Sequence, residues 1–276
     1  MKFTKMHGIG NDYIYFNCFE ETVSDPENLS IKLSDRHFGV GGDGIVLIMP
    51  SEKCDFRMRM FNADGSEGKM CGNATRCIGK YVYEKGLTDK TRITLETLSG
   101  IKVLDLEVKD GIVESVTVDM GKAVFTAKDI PVTADTDEVI EEPISLCGRN
   151  DKMTCVSMGN PHCVIFTEDI DSLELEKIGP YYENYEKFPE RINTEFVEYI
   201  DSHTLKMRVW ERGSGETLAC GTGACATVSA AVRTGRCPAD EFIEVRLLGG
   251  VLKVKYLSDG TVIMKGPAAF SFEGEV

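Results

Sequence analysis

The sequence repeats itself at a spacing of 149 residues: Asn11 of Gly-Asn-Asp recurs as Asn160 of Gly-Asn-Pro, and Cys71-Gly72 as Cys220-Gly221. The same spacing carries Gly86 onto Gly235, Leu98 onto Leu247 and Asp110-Gly111 onto Asp259-Gly260. A spacing kept across a cysteine, turns and a helix stop makes the chain two copies of one unit, and so constrains topology before any other feature. Within each copy the elements are legible. Alternation marks strands at Phe56 to Met60 and Thr204 to Trp210, and turn signals split Ile101–Val108 from Ile112–Val118 and Val251–Leu257 from Thr261–Met264 as hairpins. Helical spacing runs from Ala74 to Lys85 and again from Ala224, with Gly86 and Gly235 as stops. A third helix is expected over Ser172 to Tyr182, interrupted by Gly179-Pro180. The fold class that follows is α/β of the α+β kind: two pseudo-symmetric domains, each a mostly antiparallel sheet with one long helix starting just after a Cys-Gly pair. We place the N-terminal domain at 1–121 with 265–276 returning to it, and the C-terminal domain at 122–264.

Composition narrows the function. The 276 residues carry 31 basic and 45 acidic side chains, a formal charge of −14. Binding to nucleic acid or to an anionic membrane needs clustered Lys and Arg, so neither is an expected partner. A small-molecule substrate is. The start, MKFTKMHGIG, has no apolar signal-like core, and the longest aliphatic run, Ile45 to Met49, is far too short to cross a bilayer. Ten cysteines therefore read as reduced thiols of a cytoplasmic protein.

Two of the ten stand apart because the repeat places them equivalently, each at the start of a helix. The first amides of a helix are unpaired and carry partial positive charge, so they favour a thiolate and bind a carboxylate. Two such helix starts converging on one molecule hold a carboxylate and bring two sulfurs to the carbon beside it. That arrangement suits stereoinversion: one sulfur removes the α-proton and the other returns a proton on the opposite side. Such chemistry asks for no metal and no pyridoxal phosphate, so no cofactor and no metal ligands are expected. Repeated loops, Phe61 to Ser66 and Trp210 to Ser214, flank the cysteines, and Asn62 falls opposite Glu211 at the same spacing.

The other candidates read as structural. Cys18, Cys54, Cys147, Cys155, Cys163 and Cys237 are expected as small buried hydrophobes, and Cys77 and Cys225 as core residues of their helices. Gly39 to Gly44 lacks the Lys-Ser/Thr of a phosphate loop and reads as a tight turn. His37 and His203 read as surface or turn residues, His7 stays open, and His162 follows Gly-Asn-Pro in the copy that contains Cys220.

Four blocks, GIGNDYI at 8 to 14, FNADGSEGKMCGNATRC at 61 to 77, GNPHCV at 159 to 164 and ERGSGETLACGTGACA at 211 to 226, resemble the diaminopimelate epimerase family in order over nearly the whole chain. The resemblance implies barrel-like sheets around central helices, an active site in the cleft between the domains, and cofactor-independent conversion of LL- to meso-diaminopimelate for lysine biosynthesis. It implies Cys71 and Cys220 as the acid/base pair, with Cys220 accepting and Cys71 donating for the LL substrate. It places Gly72-Asn73 and Gly221-Thr222 at the α-carboxylate, and Asn11, Asn62, Asn160, Asn193, Glu211 and Arg212 in the pocket that orients the substrate and reads its distal end. His162 and Glu211 match residues that assist proton transfer, and a homodimer is the assembly it suggests. One position departs: Gly44 stands where many members carry Gln, and loss of that side chain is expected to loosen substrate positioning. Two rivals remain from the residues. A proline racemase or hydroxyproline epimerase of the same superfold fits less well, because Arg212, Glu211 and the asparagines suit a long polar substrate. A thiol redox or metal protein using Cys71 with Cys77, or Cys220 with Cys225, matches no common zinc spacing.

Overall fold

The computed structural model, which describes residues 1–276, turns the spacing of 149 into repeated backbone. The first copy runs β1 (Lys2–Gly8), β2 (Asn11–Asn17), α1 (Pro26–Ser34), β3 (Gly44–Met49), β4 (Phe56–Asn62), β5 (Glu67–Gly68), α2 (Gly72–Glu84), β6 (Arg92–Thr97), β7 (Gly100–Lys109) and β8 (Ile112–Lys122). After β9 (Glu142–Leu146), the second runs β10 (Arg149–Ser157), β11 (Pro161–Phe166), α3 (Leu175–Glu183), β12 (Asn193–Asp201), β13 (Thr204–Glu211), β14 (Gly215–Thr217), α4 (Gly221–Arg233), β15 (Ile243–Leu247), β16 (Gly250–Tyr256) and β17 (Thr261–Gly266). β18 (Ala269–Glu275) closes the chain. Both ends of α1 and α3, and of α2 and α4, stand 149 residues apart.

The chain packs as two compact units. Unit 1 comprises Met1–Asp119 and Lys265–Val276, and unit 2 comprises Met120–Met264. In unit 1, β18 pairs antiparallel with β1, β1 with β2, β3 with β4, β6 with β7 and β7 with β8, while β2/β3 and β4/β6 are parallel. Unit 2 repeats the scheme: β9 takes the edge beside β10, and the parallel pairs are β11/β12 and β13/β15. Each parallel pair needs a long crossover, which is where the helices lie.

The two helices of a copy use opposite faces of the sheet. α2 packs on β1, β2 and β7, and α4 on β10 to β13, β15 and β16. Gly79 lets α2 approach closely, since a Cβ there would stand 2.9 Å from Leu106 and 3.2 Å from Leu104. On the far face, Leu33 of α1 joins Phe3, Ile14, Phe16, Ile45, Leu47 and Phe61, and α3 joins the corresponding cluster with Tyr182, Ile165, Phe196 and Trp210. Strand alternation thus sends Ile14 and Phe16 to one core and Tyr13 and Tyr15 to the other.

Several sequence expectations are corrected. α1 was not foreseen, although its twin, α3, was; short and with few apolar residues, α1 carries little periodicity of its own, but its N-cap Asp25 and its Pro at the first turn are start signals. α3 runs through Gly179-Pro180 to Glu183 because glycine at 179 admits the Trp210 ring, which would lie 2.2 Å from any Cβ. Leu98 is equivalent to Leu248, not Leu247: Thr97 faces Gly100 across one hairpin turn as Leu247 faces Gly250 across the other. The spacing is 149 again at Asp110-Gly111, so the first copy carries one residue more than the second between Gly100 and Asp110. Cys147 is exposed in a turn at φ 53, and Cys18 and Cys54 are half-buried, whereas Cys155, Cys163 and Cys237 are core residues.

Candidate active site

In unit 1, Cys71 is the N-cap of α2, with extended backbone at φ −130 and ψ 121 that aims the chain into the first helical turn. Its Sγ donates to Asn11 Oδ1 at 3.3 Å. Asn11 is itself oriented, because its Nδ2 donates to Asp43 Oδ2 at 2.7 Å, and that oxygen also accepts the Asp12 amide at 3.0 Å. Burial and the neighbouring Asp12 charge push the Asp43 carboxyl up, against the bond from the Asp12 amide. Burial also raises Asp12, but hydrogen bonds from Arg36 and Lys5 outweigh it and hold that carboxyl below its usual range. Gly72 and Asn73 are buried in the first turn of α2, and Asn62, at the end of β4, donates to Ser66 Oγ at 3.0 Å. A side chain on Gly44 would strike the Phe61 carbonyl at 2.0 Å, so glycine here is tied to the close approach of β3 and β4.

In unit 2, Cys220 caps α4 in the same way, at φ −118 and ψ 108, but its surroundings differ. The thiol is buried, its Sγ accepts from the Gly223 amide at 3.3 Å and lies 3.5 Å from Thr222 Oγ1. Glu211 reaches it from the end of β13 and also accepts from Thr217 Oγ1. Burial pushes Glu211 above the usual carboxylate range despite these two bonds. The expectation that a helix start lowers the thiol is corrected for Cys220. Burial, with the charges of Glu211 and Glu195, drives it well above an ordinary thiol, and the bonds from Thr222 and the Gly223 amide do not compensate.

His162, on β11, is wholly buried; its Nδ1 lies 2.7 Å from Glu195 Oε1 and its Nε2 lies 3.1 Å from Asn160 Oδ1. The Asn160 Nδ2 donates to Thr222 Oγ1 at 3.3 Å, which closes a polar chain onto the first turn of α4, where Gly221 is buried beside it. Asn193 is spent on backbone: its Nδ2 donates to the Pro161 carbonyl at 2.8 Å and its Oδ1 accepts the Arg212 amide at 2.9 Å. It therefore positions Arg212, whose Nη1 donates to the Glu190 carbonyl at 2.8 Å.

The structure thus joins Cys71 to Asn11 within unit 1, and Cys220 to Glu211, Thr222, Asn160 and His162 within unit 2. Sequence reasoning missed four supporting residues: Asp43, Thr217, Glu195 and Glu183. Glu183 accepts from Trp210 Nε1 at 2.8 Å and from the Gly213 amide at 3.0 Å, so it anchors the loop that carries Arg212. A glutamate inside the otherwise buried start of β12 was the readable signal for Glu195, since an acid in a core strand needs a partner.

The profile of the family described as diaminopimelate epimerase matches residues 3–126 and 154–271. Among sequence relatives, a diaminopimelate epimerase of Acetivibrio thermocellus is 57% identical over 277 residues, covering 100% of this chain and 98% of that protein. One of Methanococcus maripaludis is 54% identical, covering 100% and 99%. Among solved structures, a hydroxyproline epimerase from Agrobacterium vitis superposes with a TM-score of 0.73 at 13% identity, covering 100% of this chain and 90% of that one. A probable proline racemase from Agrobacterium radiobacter gives 0.74 at 14%, covering 100% and 92%. At such identities the likeness is one of fold.

Proposed function

The chain belongs to the diaminopimelate epimerase family, and from that premise we propose that it interconverts LL- and meso-diaminopimelate, without pyridoxal phosphate, by two-base chemistry through Cys71 and Cys220. One observation carries the reading of the thiols: both are N-caps of helices that begin 149 residues apart, so the fold offers two sulfurs the same relation to a helix start. In the LL direction Glu211 takes the Cys220 thiol proton. The thiolate then removes the α-proton, forming S–H as C–H breaks, and the electron pair delocalises into the α-carboxylate, a charge that the unpaired amides of a helix start suit. Cys71 gives its thiol proton to the opposite face and is left as thiolate. The meso direction reverses each transfer. Asn11 holds the Cys71 thiol, Asn160 and Thr222 line the start of α4, and Arg212 and Glu211 suit the carboxylate and ammonium of the distal end. Asn62, Gly72, Asn73, Asn193 and Gly221 complete the substrate site in this reading.

The deciding experiment incubates reduced protein with LL-diaminopimelate in deuterated water without added cofactor. Meso product carrying one α-deuterium is expected, and absence of turnover would sink the reading. Proline and hydroxyproline, offered in parallel, should not turn over. Thiol acid/base chemistry needs reduced sulfurs, which supports a cytoplasmic location in the same reading. Assembly as a homodimer belongs to the same reading and is checked by sedimentation: a particle of twice the 30.5 kDa chain supports it and a monomer removes it.

A further inference from the structure

Glu195 has no part in the chemistry above, yet it is the least expected charge in unit 2. It sits in the middle of the pairing between β12 and its neighbours β11 and β13, fully buried, with Oε1 on His162 and Oε2 without any hydrogen bond. A carboxylate so placed is costly unless a counter-charge stands beside it. Only His162 does, and the ring's other side decides its state. Nδ1 faces a carboxylate and Nε2 faces the Asn160 carbonyl oxygen, while that amide's nitrogen is committed to Thr222. With an ionised carboxylate on one side and an amide oxygen on the other, the ring is satisfied only when both nitrogens carry hydrogen.

The first copy supplies an independent argument. At the spacing of 149, Val46 occupies the place of Glu195, Tyr13 that of His162 and Ala74 that of Gly223. A Cβ on Gly223 would stand 2.7 Å from Glu195 Oε1 and 3.2 Å from Cys220 Sγ. The glutamate and the glycine that makes room for it therefore occur together, beside one thiol and not the other. The remaining titratable groups around the pair are Glu211 on β13, Cys220 at the start of α4, and Cys163 on β11 with Cys155 of β10 behind it.

We propose that Glu195 is a positioning residue: with His162 it forms a buried, net-neutral pair that keeps both ring nitrogens donating, orients the Asn160 amide toward α4, and cancels carboxylate charge beside Cys220. Its kinetic consequence rests on the reading of Cys220 as an acid/base group; the pair itself does not.

Ring nitrogen NMR of the four histidines tests it, with His162 assigned by its loss in His162→Gln. At pH 7 both His162 nitrogens should resonate as protonated, and Glu195→Gln, which can donate but not neutralise, should turn one of them bare. A bare nitrogen in the wild type, or no change in Glu195→Gln, overturns the proposal. If Glu195→Gln does not fold, the wild-type spectrum decides alone. In turnover of LL-diaminopimelate, His162→Gln leaves Glu195 uncompensated. The acid limb of kcat/KM should then move to higher pH, and adding Glu195→Gln should move it back, recovering about tenfold in rate below the limb. A double variant no better than His162→Gln overturns the electrostatic role. Protonated ring nitrogens in a protein without turnover would instead sink the proposed activity and leave the pair standing.

Discussion

The two half-sites share a backbone and little else. Both begin with an N-cap cysteine on a helix of the same length, and both place an asparagine, Asn11 or Asn160, beside the helix start. Around Cys71 the fixed partner is a neutral amide and the thiol is half-buried; around Cys220 stand Glu211, Glu195 and His162, and the thiol is enclosed. Duplication thus delivered the geometry of a helix start twice, and side chains at Asn62/Glu211, Tyr13/His162 and Val46/Glu195 then made the two sulfurs chemically unequal. Burial, with the charges of Glu211 and Glu195, favours the protonated form of Cys220, and burial raises the neighbouring Glu211 carboxyl as well.

The largest effect should come from the sulfurs. Cys71→Ser and Cys220→Ser keep an acid/base-capable oxygen but one far less acidic, and each should lower kcat by about 10²- to 10⁴-fold. Following α-hydrogen exchange separately from net epimerisation divides the two: in the LL direction Cys220→Ser should lose both, whereas Cys71→Ser should lose epimerisation more than exchange at the starting centre. Equal loss of both in both variants would erase the distinction between acceptor and donor.

Glu211→Gln comes next, because it gives the second copy the neutral amide that Asn62 provides in the first. The rate should fall by about 10- to 100-fold, as expected for loss of one proton acceptor. The pH dependence should move the other way. Burial is the largest cause that raises Cys220 and persists, but the Glu211 charge is the next and is removed, so the thiol becomes more acidic and the acid limb of kcat/KM shifts to lower pH. A limb that stays in place, or rises, would show that Glu211 does not act on this thiol.

How much of this was readable without coordinates depends on what periodicity and spacing can carry. The repeat exposed Cys71 and Cys220 because a helix start leaves a local signature, Cys-Gly followed by apolar residues three and four apart, and the duplication printed it twice. Turns written Asp-Gly were readable for the same reason, since Asp110 and Gly111 adopt φ 51 and 79, which few residue pairs tolerate. The state of Cys220 was not readable: it is set by burial, by Glu211 and by Glu195, the last 25 residues away along the chain and held on β12 by a parallel pairing that no local pattern encodes. Asp43 escaped likewise, hidden in a glycine turn whose importance lies in one side chain aimed at Asn11. α1 was legible through its twin and through its own Asp25-Pro26 start, and the strand slip at Leu248 only through paired registers.

Importing the first copy's residues into the second gives a smaller effect that isolates one structural choice. Gly223→Ala introduces the Cβ that Ala74 carries, and it meets Glu195 Oε1 at 2.7 Å. Overpacking of this kind should cost about 1–3 kcal/mol in urea denaturation. Adding Glu195→Val, the residue of Val46, removes the obstructing carboxylate, so the double variant should recover most of that loss. Additive losses in the double variant would mean that the two positions are not coupled and that their joint exchange between copies has another cause.

The smallest effect tests the support of Cys71. Asp43→Asn keeps the shape of the side chain but weakens its grip on the Asn11 Nδ2 and the Asp12 amide, both of which donate to the same carboxylate oxygen, Oδ2. Losing one such bond is worth about 0.5–1.5 kcal/mol, a two- to tenfold rise in KM or fall in kcat/KM for the LL substrate. Stability should respond in the opposite sense. Burial and Asp12 raise the folded Asp43 above its unfolded value, so its favourable contribution is complete only below the unfolded pKa and is lost as pH rises through the folded one. At neutral pH the ionised Asp43 therefore weighs against folding, and Asp43→Asn should be at least as stable as the wild type there, with the advantage vanishing in acid. Urea titrations at neutral and acid pH, run beside the kinetics, separate the two readouts. A variant that loses both activity and neutral-pH stability would show that Asp43 holds the glycine turn and not the orientation of Asn11, whereas lost activity with retained stability places it in support of the Cys71 thiol, doing for unit 1 with one carboxylate what Glu195 and His162 do for unit 2.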